Sequence, residues 1–322
     1  MIRGRACPAS LAKWISECPK RGNTAMMEGA AATLVQVLLS GLAIGSLYAL
    51  IALGYSLTFV VNGTVNMSQG QLVMLGGMLT YAFVEIMHVP FYLSFLLAGI
   101  VVGLLGIIIE RFAIRKFAKD TASVNWVLST LAIGIIIQDV AHFIWGPNEH
   151  VVASPVGEDI VRVLGAGVYW KELILIPVVG VFLIFLTFFY LKSHWGLWLR
   201  ATADNHTAIN LMGINSNYIV AIAYILSGIL AGLGGGMMST IYAVSVAVGL
   251  PLGLKAIAVA MVSGLNSAKG IVLTGLGLGI SELLVATYVS PNFREMIIYL
   301  LVILILFVKP TGLFGTRTVV KV

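Results

Sequence analysis

Two polar breaks, one in each half of the chain, hold side chains suited to meeting a small polar solute. The first reads Asn62-Gly63-Thr64-Val65-Asn66-Met67-Ser68-Gln69-Gly70, and the second Ser263-Gly264-Leu265-Asn266-Ser267-Ala268-Lys269-Gly270. Both contain Asn-x-x-x-Gly between hydrophobic segments. Gly-interrupted apolar segments in corresponding positions of two halves point to a transport pathway. Backbone groups freed at such a break must be satisfied by protein or by a wet cavity. Asn62, Asn66, Ser68, Gln69, Asn266 and Ser267 are therefore the candidate pathway residues. Ordinary polar turns between spans are the plainer alternative, and the sequence leaves both open, as it does the relative orientation of the halves. Asn62-Gly63-Thr64 and Asn66-Met67-Ser68 also match the glycosylation sequon, which is discounted for a segment facing inward or lying at membrane depth.

Ionisable side chains near apolar runs are the second group. Asp139 and Glu282 sit deep in such runs, with Glu85, Glu110, Lys255 and Arg294 nearer their ends. Charges in lipid are costly and face the bundle interior; structural pairing is the expected role here, ahead of a part in transport. No Gly-x-x-x-x-Gly-Lys-Ser/Thr phosphate loop occurs, so nucleotide energy would have to come from another chain. There is no His-Glu-x-x-His metal pair and no clustered catalytic set within the spans, so no enzymatic role, cofactor or metal is expected of this chain.

These residues are set in a chain of 322, of which 59% are hydrophobic and 10% charged. A soluble domain carries about 25% charged residues, so lipid must cover most of this surface. The long continuous apolar runs fit helices rather than the short alternating strands of a barrel. The expected fold is all-α, a polytopic transmembrane bundle of eight to nine hydrophobic segments: Thr33–Val61, 71–87, Phe91–Ile109, Val124–Trp145, Leu173–Leu191, Tyr218–Ala243, a short Leu254–Leu265, Ile271–Val289 and Met296–Val308. Residues 1–30 read as a polar extension, either a mis-assigned translational start or a dispensable tail, 31–315 as the membrane domain and 316–322 as a tail. Cys7 and Cys18 have no metal-site spacing.

Basic residues set the orientation. They gather after the third segment (Arg111, Arg115, Lys116, Lys119), after the fifth (Lys192, Arg200) and at the C-terminus (Lys309, Arg317, Lys321), whereas the 146–171 loop is acidic. The net charge of +6 is thus a positive-inside signal rather than a nucleic-acid patch. The C-terminus and the 192–217 loop are placed in the cytoplasm. An external N-terminus would follow if the first run is one span, against its five basic residues. Four-residue glycine spacings at Gly41/Gly45, Gly99/Gly103, Gly228/Gly232/Gly236 and Gly275/Gly279 predict close helix packing within the subunit, ahead of a dimer seam.

Gly196–Asn215 is expected to form a short cytoplasmic helix ended by Gly213, with an apolar edge at Ala208, Leu211 and Met212. Small and apolar residues there suit docking into a partner's groove; a helix lying on the bilayer is the alternative.

The chain resembles the permease subunits of branched-chain amino acid ABC importers. The resemblance rests on Gly45-Ser46-Leu47-Tyr48-Ala49-Leu50-Ile51-Ala52-Leu53-Gly54, Asn66–Gly70, Arg200-Ala201 through Gly213-Ile214, Gly253-Leu254-Lys255-Ala256, Ser263–Ser267 and Lys309–Gly315. It spans about Thr33 to Gly315. It implies an inner-membrane importer with a second permease subunit, identical or not, two ATP-binding-cassette subunits that hold the ATP, and an external solute-binding protein. Residues 200–215 would then couple to an ATPase, with Arg200, Ala201, Ala203, Asp204, Ala208, Leu211 and Gly213 as the candidates. Where relatives commonly read Asn-x-Ala-His-Gly-Glu, this chain reads Asn66-Met67-Ser68-Gln69-Gly70-Gln71. Neutral amides replace two ionisable groups, which opens urea and short amides as solutes beside branched-chain amino acids. An ATP-independent transporter or channel is the competing function.

Overall fold

The structure is a computed structural model that describes residues 11–117, 125–153, 159–163 and 166–315. Cys7, Lys119, Pro155, Glu158 and the 316–322 tail lie outside the described residues.

Helix α1 (Leu11–Asn62) is followed by α2 (Gln69–Tyr81), which continues as a π-turn over Ala82–Ile86. Helix α3 (Phe91–Ile109) runs through a second π-turn, Glu110–Ile114, into α4 (Arg115–Phe117). Helix α5 (Asn125–Trp145) precedes a small antiparallel hairpin, β1 (Ile160–Val163) and β2 (Ala166–Tyr169), in the loop that the sequence left unstructured. There follow α6 (Trp170–Lys192), α7 (His194–Asp204), α8 (His206–Leu211), α9 (Ser216–Ile241), α10 (Gly249–Ser263), α11 (Ala268–Tyr288) and α12 (Arg294–Val308). Among the described residues, eight helices are long and apolar enough to cross a membrane. The hydrophobic segment that falls short is α2, which is almost wholly buried.

The core is built around α1 and α9, whose apolar windows are the most buried; α5, α6 and α12 keep broad outer faces. The glycine rows explain this arrangement. A Cβ at Gly41 would lie 2.8 Å from the Ile280 backbone, and one at Gly45 2.8 Å from that of Leu276, so α1 and α11 touch backbone to backbone. Gly99 and Gly103 meet α9 along Gly228 and Gly232 in the same way. Small residues permit such approach where no hydrophobic effect drives helices together. All four rows pack within the subunit.

Two helices start inside the bundle. Gly63, at φ +66°, ends α1, and the chain doubles back to begin α2 beside Gly54 and Ser227, in the middle of α1 and α9. At the far end of α9 the extended segment after Ile241 re-enters, bridges His150 to Val244, and begins α10 against Gly70 and Gln71. Ser56 on α1 donates to the Leu265 carbonyl, so both breaks lie toward the same end of α1, and α2 and α11 run the same way from it.

The closing Lys309–Gly315 segment finishes α10. Gly264 (φ +94°) caps that helix, and Leu313 and Phe314 donate to the carbonyls of Val262 and Ser263 at 2.7 and 3.2 Å. Orphan carbonyls at a helix end are satisfied in this way by a following segment rather than by water.

Candidate translocation and coupling sites

At the first break Asn66, Ser68 and Gln69 are buried and hydrogen-bonded, and Asn62 is half-buried. Asn66 Oδ1 accepts from the Ser68 amide (3.2 Å) and hydroxyl (2.6 Å), an Asx turn that holds the start of α2. Gln69 Nε2 donates to the Ser227 carbonyl at 3.1 Å, and Ser227 Oγ lies 3.1 Å from Gln69 Oε1 and 2.8 Å from the Gly54 carbonyl. Asn62 Nδ2 donates to Thr64 Oγ1 at 3.1 Å, and Thr64 pairs in turn with the Tyr224 hydroxyl at 3.0 Å. This network joins α1, α2 and α9 through hydrogen bonds that have no lipid competitor.

At the second break Asn266 is exposed, and the Ser267 side chain caps α11 by accepting from Gly270 N at 3.1 Å. Both border a largely apolar cleft of about 390 Å³ between α1, α6 and α11, with Leu186, Tyr190 and Lys269 among its walls. The structure does not bring the two breaks together. Gly54 faces the first and Ser56 faces the second; two residues are about 200° of helix rotation, so the breaks flank α1 on opposite sides.

Sequence reasoning passed over a third polar locus. Gln71, on α2, donates from Nε2 to Gln138 Oε1 on α5 at 3.0 Å. Its Oε1 is buried, has no hydrogen-bond partner among the described residues, and abuts Gly249, the first residue of α10. Gly253 packs on Gly70, with a Cβ there reaching 2.8 Å from the Gly70 Cα. The starts of α2 and α10 therefore meet inside the bundle. The signal available in the sequence was the amide at Gln71, directly after the first break.

The deep charges pair. Lys255 on α10 meets Glu282 on α11 at 2.9 Å and Glu295 on α12 at 3.3 Å, and Arg294 Nε reaches Glu282 at 2.8 Å. Lys255 and Glu282 are buried, and the cluster ties three helices. Glu110 takes a bidentate pair from Arg115, 2.9 Å on each oxygen, at the π-turn that extends α3. Asp139 differs: it is exposed on the outward face of α5 between Ile135, Ile136, Val140 and Phe143, with no hydrogen bond or ion pair among the described residues.

The expected single helix of the 196–215 loop is two. Asn205, at φ −161°, breaks it, and its side chain caps α8 by accepting from Thr207 N and Ala208 N at 2.9 and 3.0 Å. Asn competes with helix interiors in this way because its short amide mimics a backbone turn. Gly213 (φ +84°) ends the elbow, and Ile214 N returns to the Ile209 carbonyl at 3.2 Å. Arg200, Ala201 and Ala203 lie on α7, which sits on the bundle through Leu199 and Thr202; Arg200 packs over the Tyr190 ring. Asp204 is exposed at the corner and Ala208 half-buried on α8. Leu211 and Met212, at 84% and 74% exposure, form the tip, anchored by buried Ile209. Asn205→Ala removes the cap of α8 and is expected to cost about 1 kcal/mol locally; faster amide exchange confined to residues 206–212 would show it.

Residues 37–306 match the model of the branched-chain amino acid transport system permease component family. The chain is 28% identical to the high-affinity branched-chain amino acid transport system permease protein BraD of Pseudomonas aeruginosa, over 89% of this chain and 98% of that one. It is 27% identical to LivH of Escherichia coli, over 89% and 97%. The guanosine ABC transporter permease protein NupQ of Bacillus subtilis is 26% identical over 45% of this chain and 47% of its own length. Among solved structures, PsaBC from Streptococcus pneumoniae in complex with Fab superposes at a TM-score of 0.47 and 15% identity, covering 86% of this chain and 91% of that one. With its helical bundle and the family match over most of its length, this multi-pass membrane protein belongs to the branched-chain amino acid transport system permease component family.

Proposed function

We propose that this permease works in the inner membrane as half of a transmembrane pair, driven by two ATP-binding-cassette subunits and supplied by an external solute-binding protein. The ATPases seat on the α7–α8 elbow, and ATP is held only by them. The observation that carries this reading is the tip of the elbow: two large apolar side chains, Leu211 and Met212, held out from the bundle and uncovered by any of the described residues. Basic residues gather at that end. Arg115 reaches the Asn217 carbonyl at the start of α9, Lys192 ends α6 just before α7, and Arg200 lies on α7. Positive charge favours the cytoplasmic side, which supports a cytoplasmic elbow and Lys309–Gly315 segment. Ser40 on α1 meets Glu172 at the start of α6, at the opposite end, so residues before Ser40 lead outward. The second permease subunit covers the outer face of α5, because Asp139 in bare lipid would be costly.

The cargo is a small polar organic solute. BraD and LivH are named for branched-chain amino acids and NupQ for guanosine; we take branched-chain amino acids as the first class and short amides or urea as the second, because Gln69 and Gln71 are neutral. ATP-driven closure of the cassettes would draw the elbows together and rock the permeases, each state being selected by the partner that binds it better.

Leu211→Asp with Met212→Asp places two charges in the docking groove. Loss of a central apolar anchor costs about 2 kcal/mol or more, so recovery of ATPase subunits with the purified permease is expected to fall roughly thirtyfold while its membrane level stays unchanged. Full uptake and full ATPase recovery by the double variant would sink the reading. Solute flux through the chain alone, without ATP, would favour a channel instead.

A further inference from the structure

The cleft beside the second break lies on the flank of the bundle. Its floor is α1 from Leu53 to Val60, a length of about 10 Å. Leu186 of α6 stands on one side of it and Val272 of α11 on the other. Tyr190, near the end of α6, and Leu199 of α7 place it at the elbow end. The surfaces next to it are apolar and bare: Ile184 and Phe185 on α6 are 71% and 63% exposed, and Leu273 on α11 is 58% exposed. The first break, which α5 touches where Thr130 accepts from the Met67 amide, faces the opposite side of α1. The cleft therefore opens away from α5, onto a surface made for hydrocarbon.

One cation interrupts these apolar surroundings. Lys269, in the first turn of α11, borders the cleft, is exposed, and has no ion-pair or hydrogen-bond partner among the described residues. It sits at the positive end of the α11 dipole. On the α6 side, Arg200 stacks over the Tyr190 ring at 5.6 Å. Neither Asp nor Glu is among the described walls; Asp204, the acid at this end, closes α7 outside the cleft.

These features select the occupant. Water in such a cleft finds few polar partners, whereas a hydrocarbon chain meets wall atoms at contact along its length. A lysine in this position lays its stem on apolar surface and carries its charge to the headgroup layer. Basic pockets between transmembrane helices hold anionic headgroups in this manner. A phospholipid with negative net charge matches both halves of the site; a zwitterionic one matches only the apolar half.

We infer that the cleft binds an anionic phospholipid, with one acyl chain between α6 and α11 and the phosphate against Lys269. The site goes beyond the importer reading and requires only that the bundle stand in a membrane.

The test places the full-length protein, with any subunits that copurify, in mixed vesicles of phosphatidylcholine and phosphatidylglycerol. Each lipid in turn carries a photoactivatable group on an acyl chain, and adducts are mapped by peptide mass spectrometry. Adducts on residues 183–190 and 266–272 are expected about fivefold more often from phosphatidylglycerol at equal proportions, the effect of one lysine near the membrane surface. Lys269→Gln is expected to remove that preference and Lys269→Arg to keep it, with labelling of Ile303 and Phe307 on the outward face of α12 unchanged in both. Equal labelling of the cleft by the two lipids, or a preference that survives in Lys269→Gln, would overturn the site. So would labelling that excess L-leucine abolishes, which would assign the cleft to the transported solute. Absence of adducts from the cleft while α12 is labelled would overturn it as well, because a second subunit would then cover it. None of these outcomes bears on the importer reading, which is decided by ATPase recovery.

Discussion

Alanine at Gly279 is expected to unfold much of the protein, whereas alanine at Gly277, two residues away on the same helix, should be harmless. A Cβ at Gly279 would be driven into the backbone of α1 at Gly41 and Gly45, and neither helix has a flexible side chain there to yield. Overpacking by a single methyl costs about 1–3 kcal/mol even where side chains can shift; two backbones in contact put this site at or above the upper figure. Gly277 has nothing within 4 Å of its Cβ position and faces outward. Alanine there gains about 0.5–1 kcal/mol from its better helix propensity. Thermal unfolding of the detergent-solubilised chain, followed by fluorescence-detected gel filtration, should show a large loss of the folded peak for Gly279→Ala and none for Gly277→Ala. Equal behaviour of the two would show that α1 and α11 do not pack along this seam.

The second large effect concerns the ion cluster. Lys255→Met leaves Glu282 with Arg294 as its ion-pair partner, and Glu282→Leu leaves the buried ammonium of Lys255 paired with the exposed carboxylate of Glu295. Removing one partner of a buried pair costs about 3–5 kcal/mol because the survivor stays desolvated. Residual partners place both single variants near the lower figure. The double variant replaces a desolvated pair by apolar contacts and is expected to recover most of the loss, since such exchanges are often close to neutral. A double-mutant cycle on unfolding temperature measures the coupling. Additive losses, with the double variant worse than either single one, would show that Lys255 and Glu282 do not act as a pair.

The cluster also shows where reading from residues stops. Glu282 and Lys255 were visible as ionisable groups near apolar runs, and pairing was the expected outcome, but the two lie 27 positions apart and their other partners are on a third helix. Only the packing of α10, α11 and α12 brings them within reach. The glycine rows were legible as packing surfaces because four-residue spacing places every member on one helix face. Which row meets which was not, because spacing carries no address. At the α7–α8 elbow the helix end at Gly213 followed from local chemistry, while the break at Asn205 was missed: an asparagine between two helical stretches is equally at home on a solvent-facing turn.

The amino-acid sequence alone settled that this chain lives in a membrane as a helical bundle. Hydrocarbon demands continuous apolar runs and internally satisfied backbone, and both are properties of consecutive residues. It located the two polar breaks and the surface elbow for the same reason. Tertiary structure decided the rest. It set the breaks on opposite sides of α1, turned Asn66, Ser68 and Gln69 inward as a satisfied network, and left Gln71 Oε1 at the start of α10 without a donor among the described residues. Those outcomes depend on which backbones can approach to contact, a relation among residues distant along the chain that no local spacing encodes.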